Sequence, residues 1–170
     1  MKPKMIEAYM KVAENFADLS TAQRLHVGAI IVKDERIISI GYNGMPSGWD
    51  NNCEDKVWMP EEHKGLHPDK INQMYPHYGQ YDDGEYWING RYALKSKPEV
   101  LHAETNAIAK LAKSTESGDG AVLFVTHSPC LDCAKLVYQS GINSVFYRNS
   151  YRSEDGIKFL EKAGVKVTQI

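Results

Sequence analysis

The sequence predicts a three-layer α/β/α sandwich around a five-stranded mixed sheet. Three observations carry that expectation. An amphipathic helical stretch opens the chain, and two short runs rich in β-branched residues follow it. From His102 onward, helical and strand patterns alternate, which implies parallel strands with helices on the faces. Between these halves, residues 49–98 keep neither periodicity.

Between Met5 and Leu19, the residues Ile6, Tyr9, Met10, Ala13, Phe16 and Ala17 fall on one helical face, with Lys11, Glu14 and Asp18 mostly opposite. The run His26–Val32 and the run Ile37–Ile40 read as two strands. The polar Lys33-Asp34-Glu35-Arg36 joins them as a tight turn. Gly41-Tyr42-Asn43-Gly44 ends the second strand, because Asn and Gly favour turn conformations.

The stretch 49–98 holds all three Trp, four Tyr between Tyr75 and Tyr86, and four of the seven Pro. Its nine acids and six bases give it −3 of the total −2, leaving +1 elsewhere. Its aromatic content argues against disorder. A connection of this size is expected to be an elaborated insertion that packs on the domain or on a neighbouring subunit.

Regular texture then returns. His102–Lys113 reads as a helix with Ala103, Ala107, Ile108 and Leu111 on one face, and Ala121–Thr126 as a strand. Cys130–Ser140 is a helix stopped by Gly141, and Ser144–Arg148 is a strand. Ser153 is placed to cap a helix running to Ala163, and after Gly164 the strand Val165–Ile170 closes the chain.

At 170 residues, one domain spanning 1–170 is expected, with the insertion at about 49–98. Three cysteines exclude a fully paired disulfide framework. The N-terminal MKPKMIEAYM is too charged for a signal peptide, so a reducing cytoplasm is the expected compartment. Apolar stretches such as Gly28–Val32 are too short to span a bilayer, so no membrane partner is expected. A net charge of −2 lacks the basic balance of a chain that binds long nucleic acid.

The cysteines carry the chemistry. Cys130 and Cys133 stand in Pro129-Cys130-Leu131-Asp132-Cys133, after a strand and at a helix start. A redox pair, a structural zinc site, a catalytic zinc site and plain core packing compete for such a pair. The redox reading is weakened because no proline follows Pro129, whereas thioredoxin-type folds present a downstream proline to the disulfide.

His102 opens the preceding helix. Neighbouring helices of a β-α-β arrangement begin at the same sheet edge, which brings His102, Cys130 and Cys133 together at the strand C-terminal ends. Two thiolates and an imidazole suit zinc in softness and tetrahedral preference. A water in the fourth position would have its pKa lowered to about 7. Glu104, two residues after His102, is offset from the ligand direction and can exchange protons with that water. The H-x-E pattern with a downstream P-C-x-x-C is the signature of zinc-dependent nucleobase deaminases.

Four segments together resemble the deoxycytidylate (dCMP) deaminases of the cytidine-deaminase superfamily. They are His102-Ala-Glu104, Ser128-Pro-Cys130-Leu-Asp-Cys133, Val27-Gly-Ala-Ile-Ile-Val32 and Gly41-Tyr-Asn-Gly-Met-Pro-Ser-Gly48. The resemblance covers nearly the whole chain. The G-Y-N-G element and the long insertion point to the dCMP branch. Nucleoside deaminases usually place Cys where His102 stands, and tRNA adenosine deaminases lack G-Y-N-G.

The resemblance implies hydrolytic deamination of dCMP to dUMP and ammonia, which would supply dUMP for thymidylate synthesis. It implies one catalytic zinc on His102, Cys130 and Cys133, with Glu104 as the proton shuttle. It places Asn43 at the deoxyribose, with a turn residue as the alternative. Arg24 is a candidate for the 5′-phosphate, where a planar guanidinium binds bidentately, and a surface arginine is the alternative. Ser128 and Pro129 would border the base, and Tyr151 would close over the substrate, with a packed surface tyrosine as the alternative.

The resemblance further implies a homo-oligomer, a hexamer, activated by dCTP with Mg²⁺ and inhibited by dTTP. Gly44 is a candidate for that regulation. Lys110 and Lys113 are others, since a phage relative carries Phe and Arg tied to regulation at those positions. If the source were viral, the enzyme would work in the host cytoplasm. Some relatives hold a structural zinc. Here Cys53, His63 and His67 are available for one, but Ala22 stands where a first Cys would be needed. Two other readings remain: a catalytically silent nucleotide-binding regulatory protein, and a deaminase acting on another cytosine or adenine substrate.

Overall fold

The computed structural model describes residues 1–84 and 87–170; Glu85 and Tyr86, within the insertion, lie outside them. The chain forms α1 (Pro3–Ala17), the hairpin β1 (Gly28–Lys33) and β2 (Arg36–Tyr42), and then the insertion. The last part comprises α3 (Ala103–Leu111), β6 (Val122–His127), α4 (Leu131–Gln139), β7 (Ser144–Asn149), α5 (Asp155–Lys162) and β8 (Lys166–Gln169). Within the insertion lie β3 (Glu54–Trp58), a 3₁₀ turn at Glu61–His63, α2 (Pro68–Met74), β4 (His77–Asp82) and β5 (Trp87–Ser96).

The main sheet is five-stranded and mixed, in the order β2-β1-β6-β7-β8. Strand β1 runs antiparallel to both β2 and β6, whereas β6, β7 and β8 are parallel. The hairpin turn is the pair Asp34-Glu35, both with positive φ (49° and 61°), the twist that matches a two-residue hairpin.

Alternation along the central strands builds the three layers. Ala29, Ile31, Leu123 and Val125 face the layer of α3, α4 and α5, where Ala107, Leu111, Val137 and Leu160 are fully or almost fully buried. Ile30, Val32 and Phe124 face α1 and meet Tyr9, Met10 and Ala13. Phe124 stacks on Phe146 at 5.0 Å between ring centroids and tilts against Tyr9 at 5.3 Å. Two glycines set the closest approaches. A Cβ on Gly28 would stand 2.0 Å from the Ala13 carbonyl oxygen, so α1 lies directly on β1. A Cβ on Gly41 would stand 2.1 Å from the Ala103 oxygen, so α3 lies directly on β2.

The insertion departs from the sequence expectation: it folds as an antiparallel sheet, β3-β5-β4. Its periodicity is hidden because glycines and aromatics share one face. Gly79 and Gly90 are register partners. Their missing side chains leave room for the rings of Trp58, Tyr81 and Tyr92, which pack at 4.8–4.9 Å between centroids. A hydropathy reading scores glycine as a break, so the pattern vanishes. A smaller difference concerns Ser153. The helix cap is Glu154, while the Ser153 hydroxyl accepts from the Asp155 N–H at 3.1 Å just outside the helix. Among the described residues, no helix is long and apolar enough to cross a membrane.

Candidate active site

The β1–β2 hairpin and the helices after the insertion converge on one point. His102 and Cys130 are the N-cap residues of α3 and α4. Both have extended backbone, and neither spends its side chain on its own helix, so imidazole and thiol are free to point away. The segment before α3 is pinned by a bridge. Gly44 N–H donates to Leu101 O at 3.1 Å, and Leu101 N–H to Gly44 O at 2.9 Å. Asn106 Nδ2 donates to Tyr42 O at 2.8 Å and Ser39 Oγ to Ala107 O at 2.7 Å, which ties α3 to β2. On the other side, a Cβ on Gly156 would stand 2.0 Å from the Pro129 oxygen, so α5 packs straight onto the turn carrying Cys130.

His102 Nδ1 consequently lies 3.6 Å from Cys130 Sγ and 3.3 Å from Cys133 Sγ. All three donor atoms are within 4.8 Å of one another. Tetrahedral zinc, with bonds of about 2.0 Å to nitrogen and 2.3 Å to sulfur, needs N to S separations of about 3.6 Å. The donor set therefore fits a zinc ion in both chemistry and spacing. Among the described residues it is the only such group of three.

Proton sharing polarises the cluster. Hydrogen bonds from Cys133 and His102 hold the Cys130 thiol down at about 4. The bond to Cys130, with burial, pushes Cys133 up. The bond to Cys130 also raises His102. Beside them Glu104 is 4% exposed, and burial pushes its carboxyl up to about 7. A carboxyl poised near neutrality can both take and return a proton.

His102, Glu104 and Cys130 line a cavity of about 830 Å³, which also gathers Arg24, Asn43, Ser128 and Tyr151 from the sequence expectation. Asn43 is buried and already committed: Oδ1 accepts from Val27 N–H at 2.8 Å, and Nδ2 donates to Leu25 O at 2.8 Å. It shapes the cavity wall through Leu25 and Val27, just before β1. Ser128 Oγ accepts from Tyr151 N–H at 2.8 Å and so holds the Tyr151 segment at the mouth. Pro129 is fully buried behind the site.

Gly44, Lys110 and Lys113 are not in the cavity lining. Gly44 is spent on the Leu101 bridge, Lys110 rests its ammonium 5.2 Å from the Tyr42 ring centroid, and Lys113 is exposed past the end of α3. Five titratable cavity residues stand outside the sequence expectation, Glu54, His77, Lys97, His127 and Arg152, and so does Ser96. His127 and Arg152 adjoin Ser128 and Tyr151, and that adjacency was an available signal. Glu54 and Lys97 come from the insertion, where nothing in the sequence marks them.

Among the described residues, Cys53, His63 and His67 form no group of metal donors, and Cys53 is buried. His63 ends the 3₁₀ turn and His67 caps α2, so the two stand on separate elements. His63 Nδ1 bonds the Tyr75 hydroxyl at 2.9 Å, while Cys53 Sγ sits 3.4 Å from Thr21 Oγ1.

A three-layer sandwich with a His-Cys-Cys donor set and a buried glutamate at paired helix starts defines a class, the zinc hydrolases that deaminate nucleobases. The chain belongs to the cytidine and deoxycytidylate deaminase family, whose zinc-binding region matches residues 3–149. It is similar along its whole length to the dCMP deaminase of cyanophage S-TIM5, solved in complex with dCMP and dUMP. That pair shares 41% identity at a TM-score of 0.75, covering 100% of this chain and 99% of the other. The deoxycytidylate deaminase of Enterobacteria phage T4 is 37% identical over 156 residues, 85% of this chain and 78% of the relative. The deoxycytidylate deaminase of Homo sapiens is 34% identical over 151 residues, 88% and 67% respectively.

Proposed function

We propose that this chain hydrolyses dCMP to dUMP and ammonia, with zinc held by His102, Cys130 and Cys133. The observation that carries the reading is Glu104, a buried carboxyl held near neutrality beside that donor set, in a cavity that also presents Arg24, Lys97 and Arg152 to an anion. Similarity to enzymes named for dCMP supports the substrate.

Zinc bound there would supply Lewis acidity and lower the pKa of water to about 7. The chain's own work is positioning and proton transfer. Water adds its oxygen to C4 of the cytosine ring. Glu104 takes one of its protons and delivers it to N3, where it stays in the product. Glu104 then moves the second proton from the new C4 hydroxyl to the amino nitrogen. The C4–N bond breaks, a carbonyl forms and ammonia leaves, so atoms balance. Water exclusion around Glu104 strengthens each of these interactions. Asn43 and Ser128 hold the walls, and Arg24 faces the phosphate.

The finer parts rest on the resemblance. They are a hexameric, cytoplasmic enzyme activated by dCTP with Mg²⁺ and inhibited by dTTP. Gly44 and Lys110 both touch the segment that fixes His102, a route by which a bound nucleotide would reach the site. The test is release of dUMP and ammonia from dCMP by zinc-loaded protein, with and without dCTP or dTTP. Turnover of cytidine with dCMP untouched would overturn the substrate. Nucleotide binding without any deamination would mean a silent regulatory protein.

A further inference from the structure

The end of the small sheet grips the segment that carries Arg24. Glu54, the first residue of β3, is 3% exposed although charged. Its two carboxylate oxygens accept from Gln23 N–H at 3.0 and 3.1 Å, and one of them also accepts from Arg24 N–H at 3.3 Å. Its register partner on β5 is Ser96. Ser96 Oγ accepts from Arg24 Nη1 at 3.2 Å. One rung of the β3–β5 ladder thus holds both ends of Arg24: backbone by Glu54, guanidinium by Ser96. Cys53, immediately before Glu54, adds its contact with Thr21 on the same segment.

A buried carboxylate is costly unless donors face it, and these two N–H groups, Gln23's shared between both oxygens, supply that compensation. Removing it would free the Gln23–Arg24 backbone, leaving the segment tied upstream by Ser20 Oγ to Asn43 O, Ser20 N–H to Ala17 O, the Thr21–Cys53 contact and His26 to Ala22 O. An arginine side chain has much rotamer freedom to lose on binding, and holding it in advance lowers that cost.

We propose that Glu54 and Ser96 form a two-point clamp that aims the Arg24 guanidinium into the cavity, making the insertion a positioning device for the substrate's phosphate. The inference rests on the dCMP reading and assigns the insertion a part in it. Glu54 and Ser96 are positioning residues, acting through Arg24.

The test compares dCMP with deoxycytidine, which lacks the phosphate, on zinc-loaded protein. The readout is the ratio of the two kcat/KM values. Glu54→Gln presents an amide N–H₂ to backbone donors and breaks the carboxylate grip. It is expected to lower the ratio ~10-fold, mainly through KM for dCMP, as loss of charge-assisted hydrogen bonds does. Ser96→Ala, which removes only a hydroxyl, is expected to lower it ~3-fold. Arg24→Ala combined with Glu54→Gln should lower the ratio no further than Arg24→Ala alone, because the clamp acts only through that guanidinium. A wild type that prefers dCMP while Ser96→Ala and Glu54→Gln leave the ratio unmoved overturns the clamp alone. Equal losses on both substrates do the same. A wild type that ignores the phosphate overturns the dCMP reading and the clamp together.

Discussion

His102 Nδ1 lies 3.3 Å from Cys133 Sγ, across 31 residues of sequence. That contact predicts a metal-linked stability. Purified protein is expected to carry about one zinc per chain, by the three-ligand rule for catalytic sites. Free zinc at 100 times its Kd should stabilise the fold by about 2.7 kcal/mol. His102→Ala should weaken zinc binding by more than ~100-fold, since even indirect partners of a ligand cost 10–100-fold. Zinc content by atomic emission and melting with added zinc check both. Unchanged content in His102→Ala would remove it from the donor set.

Glu104 predicts a pH signature in metal-stripped protein. Its carboxyl is raised by burial from 4.5 to about 7. The folded state therefore binds this proton more tightly than the unfolded state. The stabilising contribution is full below 4.5 and is lost as pH rises through about 7. Glu104→Gln is uncharged at every pH. Its stability relative to wild type should grow between pH 5 and 8, by up to about 3 kcal/mol. Urea unfolding at several pH values measures this, and a difference independent of pH would contradict the burial. The same variant should keep its zinc and lose turnover of dCMP.

Gly156 predicts a packing effect on the site. A Cβ there would collide with the Pro129 oxygen at 2.0 Å and with Cys130 backbone atoms at 2.9 Å. Gly156→Ala should push α5 off the Cys130 turn, costing about 2 kcal/mol and weakening zinc binding. Gly65 has open space around it, so Gly65→Ala should change stability by less than about 0.5 kcal/mol. Denaturant midpoints separate the two.

Asn43 predicts a loss larger than a surface turn residue would give. Its amide satisfies Val27 N–H and Leu25 O in a buried setting. Asn43→Ala strands both, at about 2–4 kcal/mol. It should also raise KM for dCMP, because Leu25 and Val27, just before β1, line the cavity. A melting temperature within a degree of wild type would show that the two bonds are dispensable.

Much of this molecule is legible in its sequence. The alternation of helices and strands after His102 dictated parallel pairing, because short crossovers leave no other arrangement. The spacing of His102, Glu104, Cys130 and Cys133 announced a metal and a proton carrier, since few residue sets combine soft donors with a carboxylate. The polar Lys33–Arg36 turn was visible because hairpin chemistry is local.

Tertiary structure alone decided the rest. The insertion's sheet is built from glycine and aromatic partners across strands, a pattern that appears only when Gly79 meets Gly90. Asn43 reads as a ligand contact in sequence; only the fold shows that the same amide ties Val27 N–H and Leu25 O, 16 and 18 residues away, while lining the cavity. Glu54 carries no local signature, because its partners lie 30 and 31 residues upstream. Local periodicity and donor chemistry are written along the chain. Which buried polar group finds which partner depends on contacts between distant segments, and those exist only once the chain has folded.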